Sequence, residues 1–208
     1  MRIRLVVMVM LFVSCIGKAK VKENQDSCAE HSLNASRKLG LYNKTSSRED
    51  ISSALNSINR AIKCDSTDMR NYWTKLVILN ELNLLEEALS LLDRMNRSYN
   101  SPELFLSRGQ IYERMNIMDS ATLNYNKALL RYDELLEAEP DNSSLIMAKI
   151  NTINLLKDVN EALSELQDYI DEFPEMVELV KFYEMLENND RQMQGLNWVD
   201  LPDSLRSN

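Results

Sequence analysis

Apolar and polar positions along the chain follow the period of α-helices, and one small-residue position recurs at a long interval. Ala54, Ala88 and Ala121 are 34 and then 33 residues apart, and each is followed by apolar side chains four and seven positions later. A period of this length is typical of stacked helical hairpins, in which each repeat packs only against its neighbours. The pattern therefore predicts an all-α fold built from helical hairpins.

A fourth copy begins at Ala162, which lies 41 residues after Ala121, or one period plus seven residues. Seven residues are two helical turns, so an insertion of this length extends a helix without rotating its apolar face. We therefore expect a long helix over residues 121–138, which ends before Pro140 because proline cannot continue a helix. An ordinary helical bundle with alanines at this spacing is the alternative interpretation.

The third copy combines aromatic and small residues on its two helices. They are Phe105, Gly109, Tyr112, Ala121, Tyr125 and Ala128. This set resembles the tetratricopeptide repeat, or TPR, whose helix pair reads aromatic-x2-Leu-Gly-x2-Tyr, then Ala-x3-Phe, then Pro. The copy departs from that family at Arg108, where leucine is usual, and in the seven-residue extension before Pro140.

The other copies match the same family less fully. Their matching positions are Ala54, Ile58 and Ala61 in the first copy, Tyr72, Leu76, Leu79 and Ala88 in the second, and Ile146, Ile150, Ile153, Ala162 and Pro174 in the fourth. The resemblance implies a TPR-like solenoid domain over residues 27–187, with about four helix pairs. A further apolar stripe after Pro174 predicts a helix that caps the last repeat. Its residues are Met176, Leu179, Val180, Tyr183 and Leu186.

The first fourteen residues have the features of an export signal. Arg2 and Arg4 precede nine apolar residues, a run too short to span a bilayer but typical of a signal-peptide core. The sequence Phe-Val-Ser-Cys that ends at Cys15 resembles the bacterial lipoprotein signal. That resemblance implies lipidation of Cys15, a tether over residues 15–26, and attachment to the cell envelope, at the outer membrane facing the periplasm. Ordinary signal cleavage with an incidental cysteine is the alternative.

The negative net charge of the chain disfavours some classes of binding partner. The chain has a formal charge of -8, and removal of residues 1–14, with two arginines and no acids, brings it to -10. Nucleic-acid affinity comes mostly from neutralising phosphates, so a chain this acidic is not expected to bind nucleic acid. The same charge disfavours spreading on anionic lipid, so we expect the lipid anchor to be the membrane contact.

Two further cysteines, Cys28 and Cys64, lie at the same end of the first predicted hairpin, and export permits a disulfide between them. A disulfide there and two free thiols are both compatible with the sequence, because sequence separation does not guarantee Cα geometry. The single histidine, His31, has no partner cluster that predicts a metal site or a nucleophile. Phosphate-binding and hydrolase motifs are absent from the sequence. We therefore expect no enzymatic activity and no cofactor.

The resemblance implies a partner-binding groove, because the first helix of each TPR pair lines the concave side of the solenoid. The candidate groove residues are Arg70, Trp73, Val77, Asn80 and Glu81 in the second copy, Leu106, Gln110, Glu113 and Arg114 in the third, and Met147, Asn151, Asn154 and Leu155 in the fourth. This mixture of side chains is suited to a peptide or a protein helix. Trp73 belongs either to the groove or to the core.

The function that follows is a membrane-anchored adaptor for a protein or peptide partner. A small-ligand or glycan-capturing lipoprotein is one alternative, and a thiol-based redox protein that uses Cys28, Cys64 and His31 is another. The C-terminal tail, residues 188–208, is polar except for an apolar cluster that contains Trp198. That cluster either docks on the domain or is itself a binding peptide.

Overall fold

A computed structural model describes residues 28–97 and 99–188, and within these ranges every regular element is an α-helix. The predicted signal peptide, Cys15 and the predicted tether lie outside the described residues, as do residues 189–208. The helices are α1 (28–45), α2 (Arg48–Cys64), α3 (Met69–Glu81), α4 (Leu85–Asn96), α5 (Pro102–Arg114), α6 (Met118–Ala138), α7 (Ser143–Leu156), α8 (Val159–Glu172) and α9 (Val177–Asn188). The chain divides into two compact units, Met1–Leu84 and Leu85–Asn208.

The first unit contains α1, α2 and α3. The side chain of Ser47 caps α2 by accepting a hydrogen bond from the backbone N–H of Asp50, which satisfies one of the unpaired donors at the helix start. Lys38 of α1 forms a 3.0 Å ion pair with the same Asp50, and α2 packs against α3. Polar contacts at its N-terminus and apolar contacts along its length therefore hold α2 in place.

In the second unit each helix from α4 to α9 packs against the next, and α7 also contacts α9. Two apolar clusters lie in its interior. One contains Leu106, Ala121, Tyr125, Ala128 and Tyr132, from α5 and α6. The other contains Leu136, Ile146, Ile150, Ile153, Ala162, Leu166, Leu179, Phe182 and Leu186, from α6 to α9.

The alanines that mark the repeat are contact points between helices. Ala54, Ala88, Ala121 and Ala162 all have an exposed fraction of 0%. A methyl side chain allows two helix backbones to approach closely, and the larger neighbours one turn away fill the remaining space. The chain thus has the all-α architecture of packed helical hairpins that the spacing predicted. The long helix, α6, runs to Ala138, two residues before Pro140.

Two of the turns are formed by asparagine in an unusual backbone conformation. Asn83 after α3 and Asn116 after α5 have φ angles of 56° and 59°. In each turn the next residue donates its backbone N–H to a carbonyl five positions back, from Leu84 to Leu79 and from Ile117 to Tyr112, both at 2.9 Å. This geometry closes a helix end, and asparagine is among the few residues other than glycine that adopt it readily.

The closing helix, α9, buries a stripe that only partly agrees with the predicted one. Leu179 and Leu186 are buried as expected, and Phe182 is buried at 8% exposure. Val180 is 39% exposed, so its prediction as a packing residue was wrong. The reason is geometric: residues 179, 182 and 186 share one helix face, and residue 180 lies at the edge of that face.

Candidate partner-binding surface

On α3, in the first unit, the predicted groove residues differ in exposure. Trp73, Val77 and Asn80 are half-buried, while Arg70 and Glu81 are exposed. Arg70 donates from Nε and Nη2 to the two carboxylate oxygens of Asp68, both at 2.9 Å. These bonds to Arg70 hold the pKa of Asp68 below its usual value, against the opposing effect of burial. Arg70 is therefore engaged at the start of its own helix.

The opposite face of α3 belongs to the core of the first unit. Asn71 and Tyr72 are buried beside Trp73. The Ser32 hydroxyl donates to Asn71 Oδ1 at 2.5 Å, and the Tyr72 hydroxyl donates to the Ser66 carbonyl at 3.0 Å. These bonds satisfy polar groups that burial removes from water. Trp73 itself is half-buried, which is compatible with either of its two predicted placements, groove or core.

On α5, in the second unit, three of the four predicted residues lie at the surface. Gln110 is half-buried, and Glu113 and Arg114 are exposed. Leu106 was wrongly placed in the groove: it is 4% exposed and belongs to the α5–α6 cluster. The cause is the contact one turn later, where Gly109 lets Tyr125 of α6 lie against the α5 backbone. That close approach brings α6 over Leu106.

On α7 the four predicted residues are all half-buried. Met147 packs against the α6–α9 cluster and Leu155 against the α5–α6 cluster, so part of each side chain supports the core. Asn151 and Asn154 add amide groups to the same helix. The first helices of the third and fourth repeats thus offer amide and charged groups beside partly covered apolar side chains. Such a surface can bind an extended peptide or a helix.

A concave acidic surface lies on α6 and α8. One cavity of about 440 Å³ is bordered by Glu161, Ser164, Glu165, Asp168, Tyr169 and Glu172. A neighbouring one of about 310 Å³ is bordered by Asp133, Leu136, Glu137, Pro140, Tyr169, Glu172 and Phe173. Tyr169 and Glu172 border both cavities, so the two adjoin each other.

Lys149 of α7 places a positive charge beneath this acidic surface. Its Nζ lies 2.8 Å from an Asp133 oxygen and 2.5 Å from a Glu165 oxygen. The same Nζ donates to the Tyr169 hydroxyl at 3.2 Å and lies 5.4 Å from the ring centroid. Burial acts to lower the pKa of Lys149, but these hydrogen bonds outweigh it and raise the pKa above its ordinary value. Lys149 therefore stays charged and links α6, α7 and α8.

The two cysteines of the first hairpin form a disulfide, with Cα atoms 5.5 Å apart. This separation lies in the usual range for a disulfide. Of the two arrangements that the sequence left open, the structure therefore has the disulfide and not two free thiols. Within residues 28–97 and 99–188, no group of three or more His, Cys, Asp or Glu side chains is placed to hold a metal ion. None of the helices in these ranges is long and apolar enough to cross a membrane.

The fold defines a class, the all-α proteins built from packed helical hairpins. No known family profile matches the chain, and no curated protein matches its sequence. Among solved structures, the chain is similar to the crystal structure of YrrB, described as a TPR protein with an unusual peptide-binding site. The sequences are 14% identical, the match covers 86% of each chain, and the TM-score is 0.42.

Proposed function

We propose that this protein is a lipid-anchored adaptor of the bacterial cell envelope that binds a protein or peptide partner. The observation that carries the proposal is the partly exposed face of the first helices of the repeats. In the second unit, Gln110 and Arg114 on α5 and Asn151 and Asn154 on α7 present polar groups next to half-buried apolar side chains. Interfaces draw affinity from such partly desolvated side chains, with polar groups that fix orientation.

The anchor part of the proposal is supported by the sequence alone. Arg2, Arg4 and the apolar run before Cys15 have the order of a lipoprotein signal. Several acyl chains give stable membrane attachment, whereas one chain gives only marginal binding. Replacement of Cys15 with Ala should abolish incorporation of a labelled fatty acid and release the protein from the membrane fraction. Unchanged membrane partition of the Cys15→Ala protein would exclude the anchor.

The binding surface is tested by site-specific photocrosslinking in cells. A photoreactive amino acid at Gln110 or Asn151 should give one discrete crosslinked species, since both positions border the proposed face. The matched control is Asp168, which borders the acidic surface on α6 and α8. A crosslink from Asp168, with none from Gln110 or Asn151, would move the partner to the α6–α8 surface and overturn the assignment to α5 and α7.

Two alanine variants separate binding from folding. Arg114 is exposed, so Arg114→Ala should weaken capture of the crosslinked partner without changing the melting temperature. In the first unit Trp73 is half-buried, so Trp73→Ala should lower the free energy of unfolding by well under the roughly 3–5 kcal/mol that loss of a fully buried tryptophan costs. Unchanged capture by Arg114→Ala would argue against the proposed face of α5 and α7, and a large loss of stability for Trp73→Ala would place that residue in the core.

A further inference from the structure

The helix α9 leaves part of an apolar stripe uncovered. Leu179 is buried on one helix face with Phe182 and Leu186, against α7 and α8. Along the edge of that face, Met176, Val180 and Tyr183 follow one another at positions i, i+4 and i+7. Met176 and Tyr183 are half-buried, and Val180 is 39% exposed. We call these three residues the α9 edge stripe; it is an apolar surface continuous with the core.

An uncovered stripe at this place is unexpected if α9, the last helix within the described residues, ends the stack. Arrays of repeats need a polar outer face on their terminal element, because no further repeat covers it. The exposed leucines of α6, Leu123 and Leu130, are single residues on a helix surface, and such residues are common. The α9 edge stripe differs because two of its three members already pack on the α6–α9 cluster, so a cover over Val180 would extend that cluster.

The chain that follows α9 contains a matching apolar segment. Leu196, Trp198, Val199 and Leu201 form a short cluster in an otherwise polar stretch. From Asn188 to Trp198 the chain has ten residues, which reach at most about 35 Å when extended. The twelve residues of α9 are only about 18 Å long, so the segment can reach every part of the stripe.

We infer that the segment Leu196–Leu201 docks on the α9 edge stripe of its own chain. Burial of Trp198 against Val180 and Tyr183 removes apolar surface from water on both sides, which is the main favourable term in such contacts. Because the docking is intramolecular, the local concentration of the segment is high and a modest contact is sufficient. The C-terminal segment then takes the place that a further helix of the array would occupy.

Tryptophan fluorescence of the full-length protein tests this inference. The chain has two tryptophans, so Trp73→Phe leaves Trp198 as the only tryptophan, and circular dichroism checks that the helices are retained. Docking predicts a blue-shifted emission maximum and protection from acrylamide, relative to the same protein in denaturant. Val180→Glu in this background should shift the emission to the red and remove the protection, because it places a charge in the contact.

The matched control is Val177→Glu, which adds the same charge to the same helix outside the edge stripe. Val177 is 57% exposed at the first position of α9, where a negative charge is well tolerated. This variant should keep the emission of the parent. An emission maximum equal to that in denaturant, or equal responses of the two variants, would overturn the inference. A blue shift that appears only at high protein concentration would show docking on a second copy and would also overturn it.

Discussion

The aromatic ring of Tyr125 in α6 lies against the backbone of Gly109 in α5. A Cβ atom built on Gly109 would lie 2.5 Å from Cδ1 of the ring, closer still to Cε1, and 3.1 Å from Cζ. The Tyr125 hydroxyl donates a 2.5 Å hydrogen bond to Glu113, one turn further along α5. The absence of a side chain at one residue therefore sets the distance between two helices, and the tyrosine fills the space.

This contact predicts opposite effects for the same substitution at two helical glycines. Gly109→Ala should destabilise the protein by about 1–3 kcal/mol, because its methyl group overlaps a buried ring that has no free space to enter. Gly40→Ala in α1 meets nothing within 4 Å and should stabilise it by about 0.4–1 kcal/mol, by restricting the unfolded chain. Urea-induced unfolding measures the free energy of unfolding of both variants. A Gly109→Ala protein as stable as the parent would refute the close packing.

Two buried tyrosines predict a loss of stability at alkaline pH. Burial, followed by the hydrogen bond and charge of Glu113, raises the pKa of Tyr125 far above its ordinary value. Burial and the charge of Glu103 do the same for Tyr132. The unfolded tyrosines ionise near pH 10 while the folded ones keep their protons, so their stabilising effect is complete below pH 10. Above it, the free energy of unfolding should fall by about 1.4 kcal/mol per pH unit for each tyrosine.

The variant Tyr132→Phe measures how much the Tyr132 hydroxyl contributes to this alkaline loss of stability. Its hydroxyl is buried, and no described residue accepts or donates a hydrogen bond to it. Removal of that hydroxyl should therefore cost nothing at neutral pH, and the alkaline slope of the unfolding free energy should become shallower. Tyr99→Phe is the control, since Tyr99 is 47% exposed. Equal slopes for Tyr132→Phe and the parent would contradict the argument.

We expect the ion pairs of Lys149 with Asp133 and Glu165 to stabilise the fold. Lys149→Met keeps most of the apolar stem but leaves Asp133 and Glu165 without their shared cation. The Lys149 side chain is only 13% exposed, while both carboxylates are partly solvated, so we expect a loss of about 1–3 kcal/mol. The control is Lys157→Met, which removes an exposed pair with Glu161 and should have no measurable effect. Equal melting temperatures for Lys149→Met and Lys157→Met would contradict this prediction.

The disulfide predicts a redox-dependent stability for the first unit. Cys28 and Cys64 are separated by 36 residues, and in the chain-entropy model a crosslink over this distance contributes about 3–4 kcal/mol. Reduction of the wild-type protein, or replacement of both cysteines by serine, should lower its melting temperature. The double variant supplies the control, because a reductant should leave its melting curve unchanged. If reduction also lowered the melting of the double variant, the effect would not come from this bond.

The repeat itself was predictable because it depends on residue size at fixed intervals. A helix contact at Ala54 or Ala121 leaves no room for a larger side chain, so the sequence records the contact directly. The length of α6 was predictable for a similar reason, since Pro140 limits it on one side and the seven-residue insertion sets its phase. These features follow from local sterics and helix geometry, which act in every repeat.

Residues at the edges of helix faces were not predictable in this way. Val180 was assigned to the wrong environment because periodicity gives the centre of an apolar face and not its width. Leu106 was assigned to the groove by its position in the TPR pattern, which does not give that width either. The width depends on how closely the neighbouring helix approaches, as Gly109 shows for Leu106. The turns at Asn83 and Asn116 carried a usable signal that was missed: the two asparagines are 33 residues apart, in phase with the alanines.

The disulfide also has a mechanical consequence. A pulling force applied to the chain ahead of residue 28 would enter the first unit at Cys28. The covalent bond would pass that force directly to Cys64, so α1 and α2 would carry none of the load. The hairpin nearest the N-terminus could then not be unravelled by tension from that side. The first helix to experience the force would be α3, through the short segment that joins it to Cys64.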